Sequence, residues 1–215
     1  MFKRLGLAAA VLCLLTSTGV CQNDGSFDVS LNFAGVLPRQ TSANGIAQTP
    51  TKSGAFLATA RWRFNARHSI AANYARGNDS QIYSTPNVFR IQTNVTELSG
   101  AYFFSPVETE KFEPFIFAGA GALVFNPFNT FVNTTQVAVP SVRQTEFAVL
   151  YGAGMDYKIF SSIPIIKRSP AVAHLALRFQ YRGLFYKAPN FKNPNLLTGG
   201  RGHLAEAAGG VVFKF

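Results

Sequence analysis

Charge is scarce in this chain of 215 residues. Only 14% of them are Asp, Glu, Lys or Arg, where a soluble domain carries roughly a quarter. Cysteine is scarcer still: Cys13 and Cys21 are the two, both close to the N-terminus. If residues 1–21 are removed, the body of the chain has no thiol. That excludes a disulfide framework, a thiolate metal site and a cysteine nucleophile there. Long apolar runs are missing as well. Beyond residues 5–15 nothing approaches the roughly 20 apolar residues of a membrane-spanning helix. There is no phosphate-cradling loop either: Gly119-Ala120-Gly121 and Gly152-Ala153-Gly154 lack the residues that complete such a fingerprint. Close packing within strands is their better reading.

What is plentiful is aromatic and small: 21 Phe, 7 Tyr and 18 Gly. An apolar composition without membrane helices is what a membrane-spanning β-barrel produces, because only alternate residues face lipid. The formal charge is +10, or about +8 once Lys3 and Arg4 are removed. The basic residues form no tract, which argues against nucleic acid. Two uses for the excess remain open, anionic lipid head groups or a basic barrel interior.

The first residues read as an export signal. Lys3 and Arg4 precede the apolar residues 5–15, and Thr16-Ser17-Thr18-Gly19 follows. Cleavage after Cys21 leaves a mature domain of residues 22–215. Lipid attachment at Cys21 is the alternative, which the bulky Val20 opposes.

Period-two alternation then runs along the chain. Phe27, Val29, Leu31 and Phe33 alternate with polar partners. Phe56 to Phe64, Ile70 to Tyr74, and Phe147 to Tyr157 do the same. Leu175, Leu177, Phe179 and Tyr181 alternate with His174, Arg178, Gln180 and Arg182, and the last strand carries Ala205, Ala207, Gly209, Val211, Phe213 and Phe215 on one face. A strand over about 87–104 changes parity, which predicts a bulge near Thr96. Residues 112–125 form a strand that is apolar on both faces. Residues 35–54, 76–86, 126–144 and 184–202 read as loops. Eight strands with long and short connections in alternation predict an all-β fold: an eight-stranded antiparallel transmembrane β-barrel with short periplasmic turns and longer outer loops.

Parity also predicts an interior. Asp28, Arg61, Arg63, Glu146, Asp156, Arg178, Arg182 and Glu206 share the face opposite the aromatic residues. An eight-stranded barrel is just wide enough for side chains to fill it, and buried charges there need partners. A paired plug and a narrow charged pore are the two readings. His68, His174 and His203 are far apart, so no metal, cofactor or Ser-His site is expected. Phe128, Phe131, Phe185, Tyr186 and Phe191 fall in or near outer loops, as a recognition surface or as part of an interfacial aromatic girdle.

With these features together, the chain resembles the small outer-membrane barrels related to the OmpA transmembrane domain and the opacity-type surface proteins. The ending Val211-Val212-Phe213-Lys214-Phe215 is similar to their C-terminal assembly signal. Residues 115–123 and Tyr151-Gly152-Ala153-Gly154-Met155-Asp156-Tyr157 resemble their mid-barrel strands. The resemblance implies an outer-membrane location and lipid and lipopolysaccharide as neighbours. It also implies recognition of Val211, Phe213 and Phe215 by the barrel-assembly machinery. It implies a structural or surface-interaction role through the outer loops. A small-solute channel comes next and a lipid-modifying enzyme after that, with no enzyme the expectation.

Overall fold

The computed structural model describes residues 27–84, 88–107, 109, 111–137, 142–158, 175–193, 196 and 198–215. The expected export signal, His174 and the 160–170 connection lie outside them.

Eight strands close a ring: β1 (Phe27–Arg39), β4 (Ser53–Arg63), β5 (His68–Ser84), β6 (Val88–Phe104), β7 (Phe112–Val132), β9 (Gln144–Tyr157), β10 (Leu175–Lys187) and β11 (Arg201–Lys214). Each pairs antiparallel with the next, and β11 returns to β1 along the register Asp28↔Lys214 to Arg39↔His203. Closure leaves no edge to expose backbone polar groups to lipid. Three short strands sit outside the ring, namely β2 (Thr41–Ala43), β3 (Ile46–Pro50) and β8 (Thr135–Gln136). Asn44 and Gly45 join β2 to β3 with φ of 53° and 73°. This is the left-handed pair that a two-residue hairpin favours.

Residues of one parity face outward. Phe33, Leu31, Phe56, Trp62, Ile70, Leu98, Ile116, Phe147, Phe179 and Phe213 are all at least 41% exposed. An apolar exterior of that extent on a closed ring is a lipid-facing belt. At the end that carries Phe27 and Phe215, the rings of Trp62, Phe64, His68, Tyr102 and Phe104 adjoin one another. At the other end Tyr151, Phe185 and His203 stack together. These are the interfacial girdles. The four-residue turn 64–67 lies at the first end, whereas the other end carries the β2–β3 hairpin and the tops of β5, β6 and β7; the smaller end is the periplasmic one.

Several connections are more ordered than their composition suggests. β1 runs through to Arg39 and the β2–β3 hairpin pairs with the top of β5, so much of 35–54 is strand. β5 continues to Ser84 and β7 to Val132, so 76–84 and 126–132 are strand too. A strand needs about 9–11 residues to span the membrane; β5 and β6 have 17 each and β7 has 21. Their surplus rises above the outer girdle. There the outward residues are Asn78, Asn94 and Asn126, so the apolar-polar contrast that reveals a strand is lost.

The bulge is also elsewhere. β6 holds one parity from Phe89 to Phe103, with odd residues inward, and nothing is inserted at Thr96. The register slips between Gln92 and Thr93, opposite an extra residue of β7, Phe128. Phe89, Ile91 and Val95 are on the inner face because the outer lumen is apolar.

Candidate functional site

The lumen is filled in tiers. At the periplasmic end Arg61 Nε lies 2.6 Å from Asp28 Oδ2, and Arg61 Nη2 lies 2.9 Å from Asp156 Oδ2. Arg178 closes the quartet, with Nε 2.7 Å from Asp156 Oδ1 and Nη2 3.3 Å from Asp28 Oδ1. All four side chains are fully buried. Glu113 extends the cluster, 2.7 Å from Arg63 Nη2 and 2.6 Å from Lys214 Nζ. The guanidinium carbon of Arg61 is 5.6 Å from the ring centres of Phe103 and Phe115, and that of Arg178 is 5.2 Å from Phe115. Cations that lose water thus meet both carboxylates and ring faces.

In the middle, Arg182 is held by Glu97 and by Glu206 Oε2 at 2.9 Å. Hydrogen bonds among Thr59, Asn73, Ser99 and Glu97 line the wall beside it. A cavity of about 30 Å³ lies above, edged by Ala55, Asp79, Glu97, Leu123 and Glu206. It has room for a water or two.

The outer end holds an apolar cluster beside a hydrogen-bonded set of Gln48, Gln81, Asp79 and Thr93. Tyr83, Ile91, Leu123, Phe125, Leu150, Leu184 and Leu204 pack together there. The connection between β10 and β11 supplies Phe191 and Leu196, each 1% exposed. It is held down by backbone N–H groups of Asn190 and Phe191 donating to Gln144 Oε1 at 3.0 and 2.7 Å. The Tyr83 hydroxyl donates to the Pro189 carbonyl at 2.5 Å.

Seven of the eight parity-assigned residues, Asp28, Arg61, Arg63, Asp156, Arg178, Arg182 and Glu206, fall in these two ion-paired tiers. Glu146 stands apart; it faces the outer lumen, half-buried, and accepts a hydrogen bond from Gln144. Glu97, Glu113 and Lys214 complete the pairing and were absent from that set. Glu97 shares parity with Ser99, opposite to Leu98 and Tyr102, which was a usable signal. The aromatic residues assigned to outer loops divide. Tyr186 and Phe191 are buried in the lumen, Phe185 belongs to the outer girdle, Phe128 sits exposed at the bulge and Phe131 is half-buried. Val211 and Phe213 lie on the lipid-facing row, opposite Leu31 and Val29 of β1. Phe215 follows β11, its N–H donating to the Phe27 carbonyl at 2.7 Å.

The glycines of β9 make room for the lumen's rings. A Cβ on Gly152 would stand 2.3 Å from Phe117 and 2.4 Å from the Tyr181 carbonyl; one on Gly154 would stand 2.5 Å from Phe115. Each pair lies directly across the β7–β9 ladder.

Neither a protein-family model nor a curated protein matches the chain in sequence. Solved structures do match in fold. Neisserial surface protein A superposes with a TM-score of 0.54 at 15% identity, covering 90% of this chain and all of that one. The outer membrane protein OprG from Pseudomonas aeruginosa gives 0.59 at 13% identity, covering 89% of this chain and 96% of that one. The chain folds as an eight-stranded outer-membrane β-barrel. The barrel's exterior belt, its two girdles and its filled interior all follow from that architecture. Among the described residues no group of three His, Cys, Asp or Glu is placed to hold a metal.

Proposed function

We infer that the protein is a closed, non-conducting barrel that acts through its outer end. One observation carries this reading: the lumen is blocked twice, by ion pairs below and by an apolar cluster capped with Phe191 and Leu196 above, with a cavity of about 30 Å³ between them. The tall β5–β6–β7 wall and the β2–β3 hairpin then form a rigid platform outside the cell, of the kind that displays recognition surfaces. In this reading Val211, Phe213 and Phe215 present the edge read during assembly.

Planar-bilayer recording of the purified protein tests closure. No conductance steps are expected, and steady ohmic steps would favour the small-solute channel instead. In this reading the barrel carries out no reaction; His68 lies in the periplasmic girdle and His203 in the outer one. Incubation with lipid A should release no fatty acid. An impermeant amine reagent applied to intact cells should label Lys187 and Lys192 and spare Lys111.

A further inference from the structure

The net positive charge of the chain is not stored in its lumen. Inside the two paired tiers, five cations meet five carboxylates. Among the described residues the remaining cations lie outside those tiers, and most of them stand at the outer end. Arg39, Lys52, Arg76, Arg90, Lys187 and Arg201 are exposed there. Arg39, Arg76, Lys187 and Arg201 stand on the parity of the lipid-facing row, at the top of the belt that ends with Leu37, Tyr74 and Phe185; Lys52 immediately precedes β4, and Arg90 stands higher, on the part of β6 above the girdle. Among the described residues none of the six has a carboxylate partner. Cations that point sideways from a barrel, at the upper margin of its apolar belt, meet the head groups of the outer leaflet first.

One part of this collar is built more fully than the rest. Lys52 and Arg76 edge a shallow groove on the outer face of β4 and β5, together with Phe56, Tyr74 and Asn78. Phe56 lies directly opposite Arg76 in the ladder. The next rung down carries Ala58, Tyr74 and Leu98, and below it the outward residues become small. Ala60 pairs with Ala72, and Ala72 with Gly100. This floor opens as a second apolar groove, closed at its lower end by Trp62, Ile70 and Tyr102. Arg76 and Ala72 are four residues apart on β5, about 13 Å along the strand. That places a cationic mouth over a trough whose floor has no side chain beyond Cβ. A soluble polyanion would use the mouth but not the trough; an acylated phospholipid or glycolipid uses both.

We propose that the β4–β5–β6 face binds one molecule of a phosphorylated, multiply acylated outer-leaflet lipid. Its phosphate sits between Lys52 and Arg76, and one acyl chain lies along Ala60, Ala72 and Gly100. The arginine fork suits phosphate oxygens, and the lysine adds a second point charge. The site needs a barrel seated in the membrane but not a closed lumen, so a conducting barrel would leave it standing.

The test is native mass spectrometry of the full-length barrel purified in detergent and incubated with bis-phosphorylated, hexa-acyl lipid A. The wild type is expected to retain one lipid per barrel. K52Q/R76Q should reduce retention by about tenfold or more, since each cation near an anionic surface contributes measurably. A60L/A72L, which fills the trough and keeps the charge, should also reduce it. Inositol hexakisphosphate supplies the soluble comparison, and heat-shifted gel mobility confirms that each variant is folded. Unchanged retention in K52Q/R76Q overturns the proposal. So does a loss of lipid A matched by an equal loss of inositol hexakisphosphate, with A60L/A72L unaffected, which would mark a site for soluble polyanions.

Discussion

At the periplasmic end of the lumen, Arg61 and Arg178 are gripped by Asp28 and Asp156, and every one of those groups is carried by a strand of the wall. At the outer end, Tyr83, Phe125 and Leu150 pack instead against Phe191 and Leu196, which arrive on the connection between β10 and β11. Both arrangements fill a space of similar width. They differ in what holds them. The lower filling is part of the wall and cannot leave without unmaking it. The upper filling is partly a separate segment, tied to the wall by Gln144 and Tyr83. Loss of a contact should therefore be felt by the whole barrel below and by the cap alone above.

The most severe test of that contrast is Asp156→Asn, which keeps shape and leaves Arg61 and Arg178 one carboxylate short. Breaking a buried pair by removing one partner costs about 3–5 kcal/mol. Urea unfolding in lipid vesicles, followed through the single tryptophan, Trp62, should show a loss of that size. Phe191→Ala removes a buried ring worth about 3 kcal/mol, but at the cap. Hydrogen exchange should rise at residues 188–193 and around Tyr83, while the urea midpoint stays near the wild type. A midpoint shift as large as that of Asp156→Asn would erase the distinction between the two ends. Gly152→Ala sits between the regions. Its methyl must displace Phe117 and the Tyr181 carbonyl, and overpacking of this kind costs about 1–3 kcal/mol. The smallest effect concerns pH. Asp79 lies in the part of β5 above the membrane, where burial pushes its carboxyl up to about 6, against hydrogen bonds from Thr93 and Gln81. A folded value above the unfolded one means stability is greatest in acid and is lost as pH rises through about 6. After correction for intrinsic exchange, amides near Asp79 should be better protected at pH 5 than at pH 7. Asp79→Asn should flatten that difference.

The lower lumen was legible because its rule is simple. Where lipid lies outside, the apolar parity faces out, and Arg61, Arg63, Arg178 and Arg182 fall inward by default. The upper lumen obeys no such rule. Once the interior is itself apolar and the outer face meets water, Phe89, Ile91 and Val95 turn inward, and the same parity argument invents a bulge at Thr96. That misreading also hid Glu97, two residues beyond Val95 on the same face. Glu113 was missed for another reason: it stands second in β7, beside Pro114, before the strand has shown enough alternation to fix a phase. The β2–β3 hairpin did carry a local signal, Asn44-Gly45, within a stretch that composition alone assigns to loop.

The ion pairs at the periplasmic end also bear on how the barrel is made. Asp28 belongs to the first strand, and Arg178, which reaches it, comes 150 positions later. Lys214, in the final strand, pairs with Glu113 from the middle of the chain. Asp28 and Arg178 lie on the two sides of the β1–β11 seam, so their bond cannot form while the sheet is still open there. An unclosed intermediate therefore leaves Asp28 and Arg178 each short of one partner, and contacts so distant in sequence form slowly. The same residues that seal the finished lumen thus penalise every arrested stage, so insertion favours complete cylinders over partial ones.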